Sequence, residues 1–137
     1  MPDFISFNEG LTEVANNGLP ATCRFLLSSR QIGAGGTPLA ASTTLAGGVG
    51  EITGTGYARQ SQAEPTASSG VVTFSQMSWS TGSATDWPAA VYTVILVTST
   101  DNSGKAICAW HLRTGGAARD LSAASTTENF TPTLTLA

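Results

Sequence analysis

The sequence predicts a mainly β protein, an antiparallel β-sandwich or jelly roll with one short N-terminal helix. Three observations carry that prediction. Thr- and Val-rich segments alternate apolar and polar residues with the period of a strand. Gly-, Ser- and Asn-bearing turns separate these segments at roughly 8–12-residue intervals toward the C-terminus. A single stretch near the N-terminus shows helical spacing. The 137 residues fit one domain, 1–137, and a chain of this size buries roughly 65–70% of its unfolded surface.

The helix is expected at 6–18, where Phe7, Leu11, Val14 and Ala15 recur at helical spacing. Ser6 with Glu9 three residues on forms a capping-box pattern. Asn17-Gly18 offers a left-handed stop, and Pro20 forbids continuation. Residues 1–20 therefore read as an N-terminal helical arm. A strand follows at 22–28, with Cys23, Phe25 and Leu27 on one face. The passage 31–56 is rich in glycine and poor in large residues, and reads as a long loop. Loops of that length in compact domains are commonly functional or partner-bound.

A strand at 71–79 alternates Val72 and Phe74 with Thr73 and Ser75 and ends on Met77 and Trp79. The segment 89–99, with its run Val91 to Val97, predicts a central strand buried on both faces. Asp101-Asn102-Ser103-Gly104 predicts a hairpin turn, because Asn and Gly tolerate positive φ. Its partner strand at 105–113 places Cys108, Trp110 and Leu112 on one face, with Ile107, Ala109, His111 and Arg113 on the other. A last strand alternates Phe130, Leu134 and Leu136 with threonines, and Pro132 assigns it to an edge or a bulge.

About half of the residues are Gly, Ala, Ser or Thr, and 11% are charged, with a net charge of −3. The cations Arg24, Arg30, Arg59, Lys105, Arg113 and Arg119 are scattered singly, so no phosphate-binding cluster for nucleic acid is expected. No apolar run approaches the roughly 18–20 residues of a membrane span. Met1-Pro2-Asp3-Phe4 lacks the pattern of a secretory signal, which predicts synthesis in the cytosol.

The residues that carry chemistry are few. His111 lacks a nucleophile motif such as GxSxG and is expected at the surface or an interface. Cys23 and Cys108 fall on apolar strand faces as small hydrophobes. A disulfide between them would need neighbouring strands and an oxidising compartment. Gly104-Lys105-Ala106 lacks the Ser or Thr of a P-loop. Asn129-Phe130-Thr131 matches a glycosylation sequon, treated as chance in a chain without a secretion signal. Trp79 and Trp87 could be exposed as a sugar platform, whereas Trp110 reads as core. No catalytic, metal or cofactor site, and no cofactor, is expected.

From Gly56-Tyr57-Ala58-Arg59-Gln60 onward, a further succession stands out: Trp87-Pro88, the apolar strand 91–97, Asp101 and Gly104, Ala109-Trp110-His111-Leu112, then Phe130, Leu134 and Leu136. It resembles the small virion proteins of tailed bacteriophages, described as head-decoration or tail-fibre-like proteins. Ser125-Thr126-Thr127-Glu128-Asn129 departs from the pattern, standing where a Gly-Asp turn would be usual. The resemblance implies a helix followed by a β-sandwich and a virion protein made in the host bacterial cytoplasm. The expected role is capsid decoration. The expected partners are the major capsid protein and other copies of the chain, in a trimer where the lattice is three-fold. Regions 1–20 and 31–56 are the expected contacts. A tail or fibre-associated protein is the alternative within that class, and a carbohydrate-binding module the alternative outside it.

Overall fold

A computed structural model describes residues 3–63 and 65–135. The chain is mainly β, with one α-helix, α1 (Asn8–Asn17), among the described residues. The strands are β1 (Phe4–Ser6), β2 (Thr22–Ser28), β3 (Gln60–Ala63), β4 (Thr66–Ser68), β5 (Val71–Thr73), β6 (Met77–Ser80), β7 (Thr93–Val97), β8 (Ala106–His111), β9 (Thr127–Phe130) and β10 (Thr133–Thr135). They form an antiparallel five-stranded sheet, β1-β8-β7-β2-β3, with a three-stranded sheet, β10-β5-β4, and the pair β6-β9.

The five-stranded sheet is the organising layer. At its centre β7 and β8 are buried along their whole length, as a strand covered on both faces requires. Phe25, Leu96 and Cys108 form one cross-strand row; Leu26, Ile95 and Ala109 form the next and point to the opposite face. The first face packs against Val72, Phe74, Met77, Trp79 and Leu134 from the smaller sheets. The second face is covered differently, by Phe7 and by Ile32, Leu39, Leu45 and Val49 from the segment between β2 and β3.

That segment is the region expected as an open loop. It lacks a regular strand, pairing only through the isolated bridges Ser28↔Glu51 and Ile32↔Leu39. Yet its large side chains are buried in the molecule's own core. Side chains satisfy much of its backbone, as burial demands. Arg30 donates from Nε to the Thr37 carbonyl (2.6 Å), from Nη1 to Gly48 (2.8 Å) and from Nη2 to Pro38 (3.0 Å). Ser28 Oγ donates to the Val49 carbonyl at 2.6 Å.

The helix is shorter than expected and is not capped by Ser6. Phe7 is its N-cap residue, with extended backbone and no side-chain cap. Glu9 turns instead to the sheet, where its Oε2 accepts the N–H of Leu45 (2.8 Å) and of Ala106 (2.7 Å). The helix buries Gly10, not Leu11, which is exposed. A Cβ on Gly10 would collide with the Ile107 backbone, so glycine here sets how closely helix and sheet approach. Gly18 ends the helix at a φ of 73°.

Two expected strands are divided. The 71–79 segment becomes β5 and β6, which belong to different sheets. The C-terminal strand becomes β9 and β10, with Pro132 between them, and Leu136 lies outside the described residues. The turn between β7 and β8 needs no positive φ at Asn102 or Gly104. Side chains shape it: Asp101 Oδ1 accepts the Ser103 N–H (2.9 Å), and Ser99 Oγ accepts the Gly104 N–H (3.1 Å).

Candidate functional site

The aromatic residues do not form a platform. Trp79 and Trp87 are 1% and 3% exposed, which corrects their assignment as possible sugar-stacking surfaces. Trp87 Nε1 donates to the Thr55 carbonyl at 2.8 Å, and its ring meets Tyr57 edge-on at 5.5 Å. The Trp79 Nε1–H has no hydrogen-bond partner among the described residues. Trp110 is core, as expected, between Phe4, Phe25 and Phe130.

His111 is not a surface residue. Strand alternation does turn it away from Trp110, but the covering segment and the N-terminus close over it, and its side chain is 0% exposed. Its Nε2 accepts the Ile32 N–H at 3.1 Å. The proton of the neutral ring therefore belongs on Nδ1, which donates to Asp3 Oδ1 at 3.0 Å. Asp3 Oδ1 also accepts the Gly115 N–H at 2.8 Å. The hydrogen bond from His111, then that from Gly115, holds the Asp3 carboxyl below its usual range.

Cys23 and Cys108 are both buried. They stand on β2 and β8, which β7 separates. Two strand spacings, with a further two-residue offset because Cys108 lines up with Phe25, put their Cα atoms more than about 10 Å apart, beyond disulfide reach. Burial, with Cys23 adding to it, pushes the Cys108 thiol well up, and a thiol so protonated is a poor nucleophile.

Two ionic clusters were not visible in the sequence. In the first, Glu51 receives Arg59 in a fork, Nε to Oε2 at 2.9 Å and Nη2 to Oε1 at 2.8 Å, while Tyr57 OH donates to Oε2 at 2.9 Å. Tyr57 OH in turn accepts the Leu27 N–H of β2 at 3.0 Å. Burial pushes the Tyr57 phenol far up, and the Glu51 hydrogen bond raises the Arg59 guanidinium. In the second cluster, Glu128, its side chain 3% exposed, takes Arg113 and Arg119. Burial pushes the Glu128 carboxyl up, but hydrogen bonds from the two arginines outweigh it and hold the group below its usual range. The side-chain partners in these clusters are 6 to 15 residues apart and no local pattern marks them.

These polar groups are committed to one another and to backbone, so they act as internal fasteners. No group of three or more metal-ligating side chains occurs among the described residues, and none of the helices described is long and apolar enough to cross a membrane. The large hydrophobic residues exposed among the described residues are Phe4, Leu11 and Val71. Two of them belong to the N-terminal arm. Phe4 borders a cleft with Asp3, Trp110, Thr133 and Thr135, and Leu11 borders a second cleft with Val14, Ile107 and Leu134. The arm thus presents Phe4 from a backbone fixed by β1–β8 pairing, and Leu11 from a helix seated by Gly10 against Ile107 and by the Glu9 hydrogen bonds.

The architecture defines a class, a β-sandwich with one short helix. No family model, curated protein or solved structure matches the chain.

Proposed function

We propose that this chain is a structural virion protein of a tailed bacteriophage, a decoration protein that binds the outside of the major capsid lattice. The observation that carries the reading is the outward display of Phe4 and Leu11 by an otherwise internally fastened arm. The arm is rigidly placed, so docking it costs little ordering entropy. The carboxylate beside Phe4, Asp3, is already held by His111 and the Gly115 N–H, so close packing there need not bury an unpaired ion. The resemblance of roughly residues 5–137 to small tailed-phage virion proteins, carried by motifs from Gly56 onward, suggests the partner. Many such contacts over a closed lattice add by avidity, and a trimer on a lattice three-fold axis would suit that symmetry.

The covering segment contributes less than its length implied. Its large side chains are spent inside the core, which leaves mainly Gly, Ala, Ser and Thr outside. Removing residues 1–20 is not a clean test, because Phe7 is fully buried and Glu9 holds two backbone amides. The double substitution Phe4→Ser with Leu11→Ser leaves those anchors in place. It is expected to lower occupancy on purified heads of the encoding phage at least about tenfold, the loss of two modest apolar contacts per copy. Unchanged occupancy on heads contradicts the proposal, and binding confined to tails selects the tail-associated alternative.

A further inference from the structure

The geometry points to an acid-sensitive latch at His111, which pins the limb 31–39 to the sheet at neutral pH and releases it on protonation. The limb is closed on itself by the Leu39 N–H to Gln31 carbonyl bond (2.8 Å) and that of Gly33 N–H to Leu39 (3.4 Å). It is held to the sheet by the Ile32 N–H donating to His111 Nε2 and by Thr93 Oγ1 donating to the Arg30 carbonyl at 3.1 Å. Ile32 and Leu39 are both about 1% exposed, so the pin lies over apolar surface.

The imidazole can hold the Ile32 amide only while Nε2 carries a lone pair. A proton arriving at Nε2 sets one N–H against another, and the amide loses its partner inside the protein. An unpaired buried donor is costly, and the remedy is outward movement of the limb, where water can serve both groups. Nδ1 is already committed to Asp3, so the ring cannot answer by exchanging tautomers without breaking that bond as well.

The groups around the ring leave this exchange to His111 alone. From the N-terminus the titratable neighbour is Asp3, whose carboxyl stays ionised because its range is lowered. From β7 the register partner is Thr93, which carries no charge. From the limb, Arg30 turns its guanidinium away to three carbonyls, and Gln31 donates to the Gly116 carbonyl at 3.1 Å. Beyond β8, Arg113 is engaged by Glu128, and Gly115 donates to Asp3.

Opening lets Nε2 take a proton that the closed arrangement has no place for, so acid favours opening, by up to about tenfold per pH unit. Amide exchange of the intact protein, corrected for intrinsic rates, is the direct test between pH 7.5 and 5.5. The expected result is a fall of about fivefold or more in the protection of Ile32 and Leu39, with the amides of Leu26 and Ile95 in β2 and β7 unchanged. His111→Gln offers a neutral acceptor to Ile32 that does not titrate, and should abolish the pH dependence. Asp3→Asn keeps an acceptor for Nδ1–H and should retain it. Equal protection of Ile32 at both pH values in the unmodified protein overturns the latch, whatever the variants do. So does an undiminished pH dependence in folded His111→Gln.

Discussion

The two faces of the central sheet are covered by opposite means. One is roofed by strands, whose Val72, Phe74, Trp79 and Leu134 meet Phe25, Leu96 and Trp110. The other is roofed by the irregular segment between β2 and β3, whose Ile32, Leu39, Leu45 and Val49 meet Leu26, Ile95 and Val97. Both covers exclude water from apolar side chains. They differ in how the backbone is satisfied, by strand ladders on the first face and by side-chain hooks such as Arg30, Ser28 and Glu9 on the second. A chain rich in Gly and poor in large residues can thus build half a core without regular structure, provided a few polar side chains reach its carbonyls and amides.

The difference predicts unequal costs. Trp79→Ala on the strand-covered face should lower unfolding free energy by about 4 kcal/mol, since the β6–β9 ladder restrains collapse into the void. Leu45→Ala under the irregular cover should cost about 2–3 kcal/mol, near the low end for a buried Leu, because that backbone can relax. Chemical denaturation of both variants decides the point. A cost for Leu45→Ala equal to that for Trp79→Ala would erase the contrast.

Gly10→Ala sharpens the boundary between the two faces. In an exposed helix interior, replacing Gly by Ala stabilises by about 1 kcal/mol. Here the added methyl meets the Ile107 backbone, so the change should destabilise by about 2 kcal/mol. Thermal melts of this variant should show a lower Tm, against the rise that propensity alone predicts.

Glu128→Gln comes next, at about 2 kcal/mol, because two half-exposed arginines lose one buried carboxylate. The folded carboxyl titrates lower than the unfolded one, whose ordinary value is about 4.3. Its contribution is therefore fully present above that pH and is lost as pH falls through the folded value. Stability measured from pH 6 to 3 should fall more steeply in the natural protein than in Glu128→Gln. The smallest effect is expected at Leu11→Ser, within about 0.5 kcal/mol of no change in stability, because this side chain is 55% exposed.

What the sequence made legible follows the same division. β2, β7 and β8 were readable because their apolar runs are bounded by clear breaks, and their burial agrees. β3 and β4 were not, since Gln60–Ala63 and Thr66–Ser68 leave mostly small polar residues half or fully exposed. The helix was placed, and Phe7 and Val14 do face the core, but Leu11 in the same spacing is exposed and close contact with the sheet required Gly10. The loop 31–56 was correctly read as irregular, while its apolar residues, spaced 4 to 7 apart without period, hid their common burial. His111 illustrates the limit: alternation gave its face, and only the long return of the chain showed that Asp3 and Ile32 close over it.

Sedimentation of the purified protein with DNA-filled, tail-free heads of the tailed phage that the proposal takes as its source tests the proposed role most directly. The account predicts saturable co-sedimentation at a fixed ratio to the major capsid protein, lost on replacing Phe4 and Leu11 together. A protein that stays in the supernatant at every concentration, while remaining folded, would contradict it.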